Sequence, residues 1–481
     1  MPLPDLIEIV PLKEPVHAEI TVPGSKSITN RALILAALAE GEVTLKGALW
    51  SEDTQIMTEA LRKLGFQIRV EADPKEFCNR TITVKGLGGK IPNGGTVGKP
   101  LELFVGNAGT AARFLAAFVC LGDGIYHLSA VSRMYDRPQA ALFKALRELG
   151  YRVETEYGND RLPAFIEGSG PAPGAKCKVS IEKSSQFASA LLLCAKAGEW
   201  DVKVVGENAE ESPYVAMTLK MMEVFPREGG TFQIEPDASS GSYFWAAGTL
   251  APADQESEQF EHSEHFATVT GMVSLNSVSV SDWPESLWQI DQKFPEVLMN
   301  SRLWTGLMVE KLSGRADQRL LVSGFEKNNI SRATDLGDSI MTAVVLAPLS
   351  LHQIHFTDLG RLRVQETERV AALRAEMTKC GAKVEESGDT LIVHPSRSSD
   401  LHGAEIETYN DHRMAMCFAV LGLKVPGIKI KNPSCVKKTF PNFFQKLATP
   451  PPKGMGAMIL DAAGRALGMD ELFAEETESD E

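Results

Sequence analysis

The chain reads Pro23-Gly-Ser-Lys-Ser-Ile-Thr-Asn-Arg31 between an alternating segment at residues 18 to 22 and an apolar run at residues 32 to 39. The first flank has the period of a short strand; the second, apolar on every side, has the pattern of a buried helix that stops at Gly41. The polar residues are thus gathered where a strand becomes a helix. Aligned peptide dipoles place about half a positive charge at a helix N-terminus, so Lys26 and Arg31 are unfavourable there unless an anion sits beside them. Free backbone N–H groups, the flexible Gly24, the hydroxyls of Ser25, Ser27 and Thr29 and two cations make an anion cradle. A Ser-capped helix with solvated basic residues is the plainer reading of one such turn, but a turn that opens a buried helix favours the cradle. The Gly-x-x-x-x-Gly-Lys spacing of a P-loop is missing.

The same order of strand, polar turn and apolar helix recurs five times. Residues 101 to 105 lead into Gly106-Asn-Ala-Gly-Thr110 and Arg113, then an apolar run over 114 to 121. Residues 178 to 181 lead into Lys183-Ser-Ser-Gln186 and the apolar 187 to 195. In the second half, residues 232 to 234 precede Asp237-Ala-Ser-Ser240 and a helix over 243 to 250; residues 335 to 339 precede 340 to 346; Asn410-Asp-His-Arg413 precedes 414 to 423. Ala60-Leu-Arg-Lys-Leu-Gly65, Ala145-Leu-Arg-Glu-Leu-Gly150 and residues 373 to 381 form a second repeated element, an amphipathic helix closed by Gly and followed by an alternating strand. The pattern fits an α/β fold of six βα-rich units in two domains, with helix N-termini converging on a shared cleft. A length of 481 residues also exceeds what one core supports.

Composition narrows the class. Apolar content of 43% and charged content of 23% are those of a globular chain. No run approaches the roughly 18 apolar residues of a membrane span, and the N-terminus lacks the pattern of a signal peptide; the expectation is a cytoplasmic protein. Seven scattered cysteines, at 78, 120, 177, 194, 380, 417 and 435, read as reduced core residues without disulfide or metal spacing. Net charge is −14, and the last twelve residues hold seven carboxylates and no cation. Nucleic acid does not suit such a surface, so an anionic substrate needs a local basic site. His262 and His265, in the acidic stretch over residues 253 to 265, could hold a metal, but a solvated loop is the simpler reading. Pro450-Pro-Pro452 reads as a stiff linker before an acidic, disordered tail, so that residues 449 to 481 stand outside the fold.

Residues 23 to 31, 106 to 110, 184 to 186, 237 to 243, 363 to 369, 409 to 416, Asp136-Arg-Pro138 and Lys438-Thr-Phe-Pro441 together resemble the enolpyruvyl transferase family, most closely its EPSP synthase branch. The resemblance covers residues 10 to 445. It implies a two-domain inside-out α/β barrel of six repeats, with residues 24–235 as one domain and residues 1–23 and 236–448 as the other. It also implies transfer of the enolpyruvyl group of phosphoenolpyruvate to the 5-hydroxyl of shikimate 3-phosphate, with release of phosphate and without cofactor or metal, by a monomer that closes over its substrates. Catalytic roles fall by resemblance to Lys26, Asp338, Glu366 and His412. Phosphoenolpyruvate falls to Lys26, Asn107, Gly109, Arg137, Gln186, Arg369, Arg413 and Lys438. Shikimate 3-phosphate falls to Lys26, Ser27, Arg31, Ser184, Ser185, Gln186, Tyr214 and Asp338. The planar fork of arginine suits both the carboxylate and the phosphate of phosphoenolpyruvate, which agrees with several arginines where one lysine could serve a single charge.

The acceptor side departs from the family pattern. Gln365 stands where the family has Lys, Arg361 where it has Asn, and Glu211 where it has a phosphate-binding Ser, with Ser212 one place later. Gaining Arg361 while losing a cation at 365 keeps the local charge, and Ser212 can supply the hydroxyl. Three alternatives stay open: a family member with a different acceptor, the sister transferase acting on UDP-N-acetylglucosamine, and a binding protein without turnover. The second needs a reactive Cys that residues 130 to 136 lack; the third does not need Lys26, Asp338 and Glu366 together.

Overall fold

The computed structural model describes residues 3–206, 212–252, 278–300, 328–397 and 399–474. The chain forms two compact units: Met1–Val22, Ala238–Trp283 and Asp291–Glu481 make unit one, and Pro23–Asp237 with Pro284–Ile290 makes unit two. Each has its own apolar core.

Unit two contains two four-stranded sheets with one plan. In the first, Gly230–Gln233 lies parallel to Glu42–Leu49, followed by antiparallel Asn79–Lys85 and Ile68–Ala72. In the second, Leu101–Phe104 lies parallel to Asp123–Ser129, followed by antiparallel Ala164–Ser169 and Arg152–Thr155. A parallel pair, Lys176–Ser180 with Asp201–Val205, is the third sheet. Unit one repeats the plan with Asn329–Ser331, Ile354–Thr357, Thr390–Val393 and Val384–Ser387. It does so again with Glu405–Ile406, Ile428–Lys431, Leu6–Ile9 and Ile459–Asp461, and adds the parallel pair Ala18–Ile20 with Val278–Val280. Parallel neighbours need a crossover helix, and the six apolar helices legible in the sequence accompany these six sheets.

Those helices are α1 (Lys26–Leu38), α2 (Gly109–Phe118) and α3 (Ser185–Gly198) in unit two, and α4 (Ala238–Leu250), α5 (Ile340–Leu346) and α6 (His412–Gly422) in unit one. Every residue of α2 and α5 is buried, as is all of α6 except Arg413. A helix apolar on all sides is stable only inside a core, so each unit wraps its sheets and amphipathic helices around a packed trio. In unit one Ser242 Oγ lies 2.9 Å from Thr342 Oγ1, joining α4 to α5, and Thr342 Oγ1 lies 3.8 Å from Cys417 Sγ in α6. The amphipathic helix Arg369–Lys379 ends where Gly381 takes φ +85; a Cβ there would lie 2.2 Å from Asp400 O, so only Gly fits.

Three expectations change. Helix α1 starts at Lys26, inside the polar stretch, because its polar residues are satisfied internally: Thr29 Oγ1 accepts the Leu49 N–H at 3.1 Å and Asn30 Nδ2 donates to Lys26 O at 3.3 Å. Helix α4 likewise starts at Ala238 rather than 243, with Ser242 Oγ donating to Ser239 O at 2.7 Å.

The linker-and-tail reading of residues 449 to 481 is overturned as far as residue 474. Ile459–Asp461 joins the sheet edge at Leu6–Ile9, Met455, Ala457, Leu472 and Ala474 are buried, and Glu19 N–H donates to Pro452 O at 2.8 Å. Apolar side chains spaced among Pro, Gly and charge supply enough burial to fold this segment onto the core. Residues 475–481, and the acidic stretch at 253 to 265 with His262 and His265, lie outside the described residues. Residues 284–290 return to unit two, where Trp288 stacks on Phe232 at 6.2 Å and Gln289 Nε2 donates to Pro236 O at 2.8 Å. All seven cysteines are free and buried. No helix among the described residues is long and apolar enough to cross a membrane.

Candidate active site

In unit one the openings of α4, α5 and α6 converge on a charged network. Asp338 directly precedes Ser339, the N-cap of α5. Its Oδ1 accepts from Arg332 Nη2 at 3.1 Å, and its Oδ2 lies 3.4 Å from Arg413 Nη2 and 3.8 Å from Arg369 Nη1. Burial alone would raise the pKa of Asp338; Arg413, then Arg332 and Arg369, outweigh it and hold the carboxyl well below the usual range. Asp291 accepts the Ser339 N–H at 2.8 Å, and burial followed by the charge of Asp338 pushes its pKa up. One helix opening thus carries two carboxyls whose surroundings drive them apart.

Arg369 begins its helix with the guanidinium buried. Nε and Nη2 reach the two oxygens of Asp411 at 2.7 and 3.1 Å, Nη2 also meets Glu366 Oε2 at 2.9 Å, and Nη1 donates to the amide oxygen of Gln365. Burial works against its charge, but Asp411, Glu366 and Asp338 raise its pKa above the ordinary arginine value. Glu366 Oε1 lies 3.2 Å from Lys438 Nζ. Asp411 is the N-cap of α6 and accepts the Arg413 N–H at 2.9 Å; the buried His412 has Nδ1 3.7 Å from Asp411 Oδ1. Arg413 Nη2 donates to Ser239 Oγ at 3.0 Å and Nη1 to Tyr243 OH at 3.5 Å, so one guanidinium touches α4 and the approach to α5 from α6. Asp338, Glu366, Arg369, His412, Arg413 and Lys438, dispersed over a hundred positions in sequence, therefore share one network.

In unit two, none of α1, α2 and α3 has a carboxylate in its first turn, and neither α1 nor α2 has a side-chain cap. Their positive ends stay suited to an anion. Lys26 Nζ, at the start of α1, is held 2.9 Å from Asp53 Oδ2. Ser184 caps α3, accepting the Gln186 N–H at 3.2 Å, and Ser185 follows as the first, buried residue of α3. Gln186 Nε2 donates to Thr110 Oγ1 at 3.2 Å, which puts the openings of α2 and α3 side by side. Arg137 Nη1 donates to Asn107 O at 3.2 Å, while Arg113 Nη1 and Nη2 donate to Gly109 O at 3.0 Å and Pro138 O at 2.9 Å. A Cβ on Gly109 would lie 2.5 Å from Arg113 Nη1 and 2.6 Å from Arg137 Nη2, so any side chain there displaces both guanidiniums.

Arg31 lies among buried polar groups of unit two. It is 2% exposed, donates to Thr218 Oγ1 (2.8 Å), Ser27 O (2.9 Å), Ser189 Oγ (3.0 Å) and Tyr214 O (3.5 Å), and stands 5.3 Å over the Phe114 ring. Burial lowers its pKa to about 10. Its guanidinium ties α1 to α3 and to the helix Ser212–Val224 that bears Tyr214. On the acceptor side, Arg361 is nearly buried on the short turn Gly360–Val364, Gln365 faces Arg369, and Ser212 is the exposed first residue of its helix. Glu211 lies outside the described residues.

Sequence reading gave no role to Asp53, Arg113, Asp291, Arg332 or Asp411. Asp411 and Arg113 sit inside the quoted motifs, and a charged residue at the head of an apolar helix was their signal. Asp53, Asp291 and Arg332 come from separate segments with no periodic mark. Burial pushes the thiols of Cys177, Cys380, Cys417 and Cys435 up, to about 11 in the first and about 12 in the others, which leaves them unreactive.

The model of the family "EPSP synthase (3-phosphoshikimate 1-carboxyvinyltransferase)" matches residues 11–256 and 310–447. A 3-phosphoshikimate 1-carboxyvinyltransferase from Trichormus variabilis is 35% identical over 92% of this chain and 98% of its own. One from Vibrio cholerae serotype O1 is 35% identical over 90% and 97%. Among solved structures, an EPSP synthase from Acinetobacter baumannii superposes with TM-score 0.64 at 20% identity, covering 95% of this chain and 100% of that one. The enolpyruvyl transferase NikO from Streptomyces tendae gives 0.62 at 14% identity, covering 97% and 99%.

Proposed function

The chain belongs to the EPSP synthase (3-phosphoshikimate 1-carboxyvinyltransferase) family, and from that premise we propose how its charged groups divide the work. The reaction transfers the enolpyruvyl group of phosphoenolpyruvate to the 5-hydroxyl of shikimate 3-phosphate and releases phosphate, a step toward the aromatic amino acids. The acceptor hydroxyl loses a proton, the methylene carbon gains one, and phosphate leaves from the tetrahedral intermediate.

Asp338 takes the hydroxyl proton, Lys26 and Glu366 move protons around the intermediate, and His412 lines the same site. Arg137, Arg369, Arg413 and Lys438, with Lys26, Asn107, Gln186 and the backbone at Gly109, hold phosphoenolpyruvate. Ser27, Ser184, Ser185, Gln186 and Tyr214, with Lys26 and Asp338, hold shikimate 3-phosphate; Arg361, Gln365 and Ser212 complete the acceptor side. Arg31 supports that set by fixing α1.

The observation that carries this reading is the contact of Asp338 with three arginines. A carboxylate held that far below its usual pKa is a weak base. An arriving phosphate and carboxylate compete for Arg413 and Arg369, which lifts the pKa of Asp338 as the substrate binds, so the base gains strength only when phosphoenolpyruvate is present. The test is phosphate release with each substrate omitted in turn and with UDP-N-acetylglucosamine in place of shikimate 3-phosphate. Release that needs phosphoenolpyruvate and shikimate 3-phosphate, and that the nucleotide sugar does not sustain, is the expected result; release with the nucleotide sugar overturns it.

A further inference from the structure

Glu376 is fully buried, two turns along the helix Arg369–Lys379 from Arg369 and on the same face. Its Oε1 accepts from Tyr409 OH and Lys379 Nζ, both at 2.8 Å; its Oε2 accepts from Lys379 Nζ at 2.8 Å and from the Glu407 N–H at 3.1 Å. The helix therefore grips residues 407–411 twice, through Glu376 on Glu407 and Tyr409 and through Arg369 on Asp411.

Between the grips, Tyr409 and Asn410 both take φ +54. Two consecutive left-handed residues other than Gly are disfavoured, and such backbone persists only where its surroundings over-determine it. Here the Asp411 N–H donates to Thr408 O at 2.9 Å and Asn432 Nδ2 to Asn410 Oδ1 at 3.2 Å, but the strongest tie is to a buried carboxylate. Directly after the strained pair come Asp411, which caps α6, then His412 and Arg413.

We propose that Glu376 and Tyr409 are positioning residues that lock this turn and so fix Asp411, His412 and Arg413 against Arg369. Neither touches the reacting groups; they act through the turn. A brace for stability alone would be met by Lys379, whose ammonium already bonds both carboxylate oxygens. The tyrosine hydroxyl and the Glu407 N–H extend the contact to a stretch in which two consecutive residues other than Gly are left-handed. The inference rests on the phosphoenolpyruvate reading of Arg369 and Arg413.

Tyr409→Phe keeps the ring and removes the hydroxyl. The expected result is a KM for phosphoenolpyruvate raised about tenfold with that for shikimate 3-phosphate within about twofold, the loss of one hydrogen bond to a charged group. Amide hydrogen exchange over residues 407–413, which needs no turnover, should quicken. Adding Asn410→Gly, which takes the left-handed conformation without strain, should restore much of the lost affinity, an effect a packing role would not give. Unchanged exchange overturns the lock. Faster exchange with both KM values unmoved overturns its service to phosphoenolpyruvate. A parent protein that releases no phosphate from the two substrates overturns the substrate reading beneath it, whatever the exchange shows.

Discussion

Arg332 and Asp338 form an ion pair of 3.1 Å in which the guanidinium is 1% exposed and the carboxylate 17%. Because Arg332 is one of three cations that depress the pKa of Asp338, Arg332→Met should let that pKa climb toward the ordinary range near 4. The acid limb of the pH–rate profile then moves to higher pH. The sign for stability follows the same shift. A depressed carboxylate contributes stability above its unfolded pKa, and the contribution fades as pH falls through the folded value. The variant should therefore be more stable relative to its own neutral-pH value in the acid window below about pH 4 than the parent is. Thermal melts from pH 3 to 7 and kcat profiles check both, and an unmoved acid limb would sink the assignment.

Asp338→Asn should lower kcat by about a thousandfold, within the usual range for loss of a general base, while phosphoenolpyruvate binding changes little. Calorimetric titration beside turnover separates the two. Unchanged turnover removes Asp338 from its role.

Arg31→Met should destabilise unit two by about 3 kcal/mol, since it removes the four hydrogen bonds that a buried guanidinium makes to Thr218, Ser189, Ser27 and Tyr214. The measurement is a denaturant midpoint. Conversely, an unaltered midpoint with a raised KM for shikimate 3-phosphate would return Arg31 to direct substrate contact.

A chain cut after Thr449 should lose the strand Ile459–Asp461, expose the edge at Leu6–Ile9 and melt at a lower temperature than the full chain. Equal melting curves would show that residues 450–474 add nothing to unit one.

What was legible in the sequence follows from contrast. The six apolar helices stand out because Phe114 to Leu121, or Met414 to Leu423, carry almost no polar side chain, and only a core accepts such a run. The starts of those helices were less legible: Thr29, Asn30 and Arg31 look like turn residues until Leu49, Ser189 and Thr218 are seen beside them. The segment after Thr449 was misread for the same reason, its Met455, Ile459 and Leu472 being scattered among prolines, glycines and charges. Arg369 and Arg413 stand in motifs at the heads of helices and carry a local mark; Arg332 and Asp291, which act on Asp338, and Asp53, which pairs with Lys26, come from elsewhere in the chain and carry none.

The most direct test of enolpyruvyl transfer supplies isotopically labelled phosphoenolpyruvate with shikimate 3-phosphate and identifies the organic product by mass. The expected result is one phosphate released for each three-carbon unit joined to shikimate 3-phosphate. Phosphate release that leaves shikimate 3-phosphate unaltered, or bound phosphoenolpyruvate that is never consumed, would contradict it.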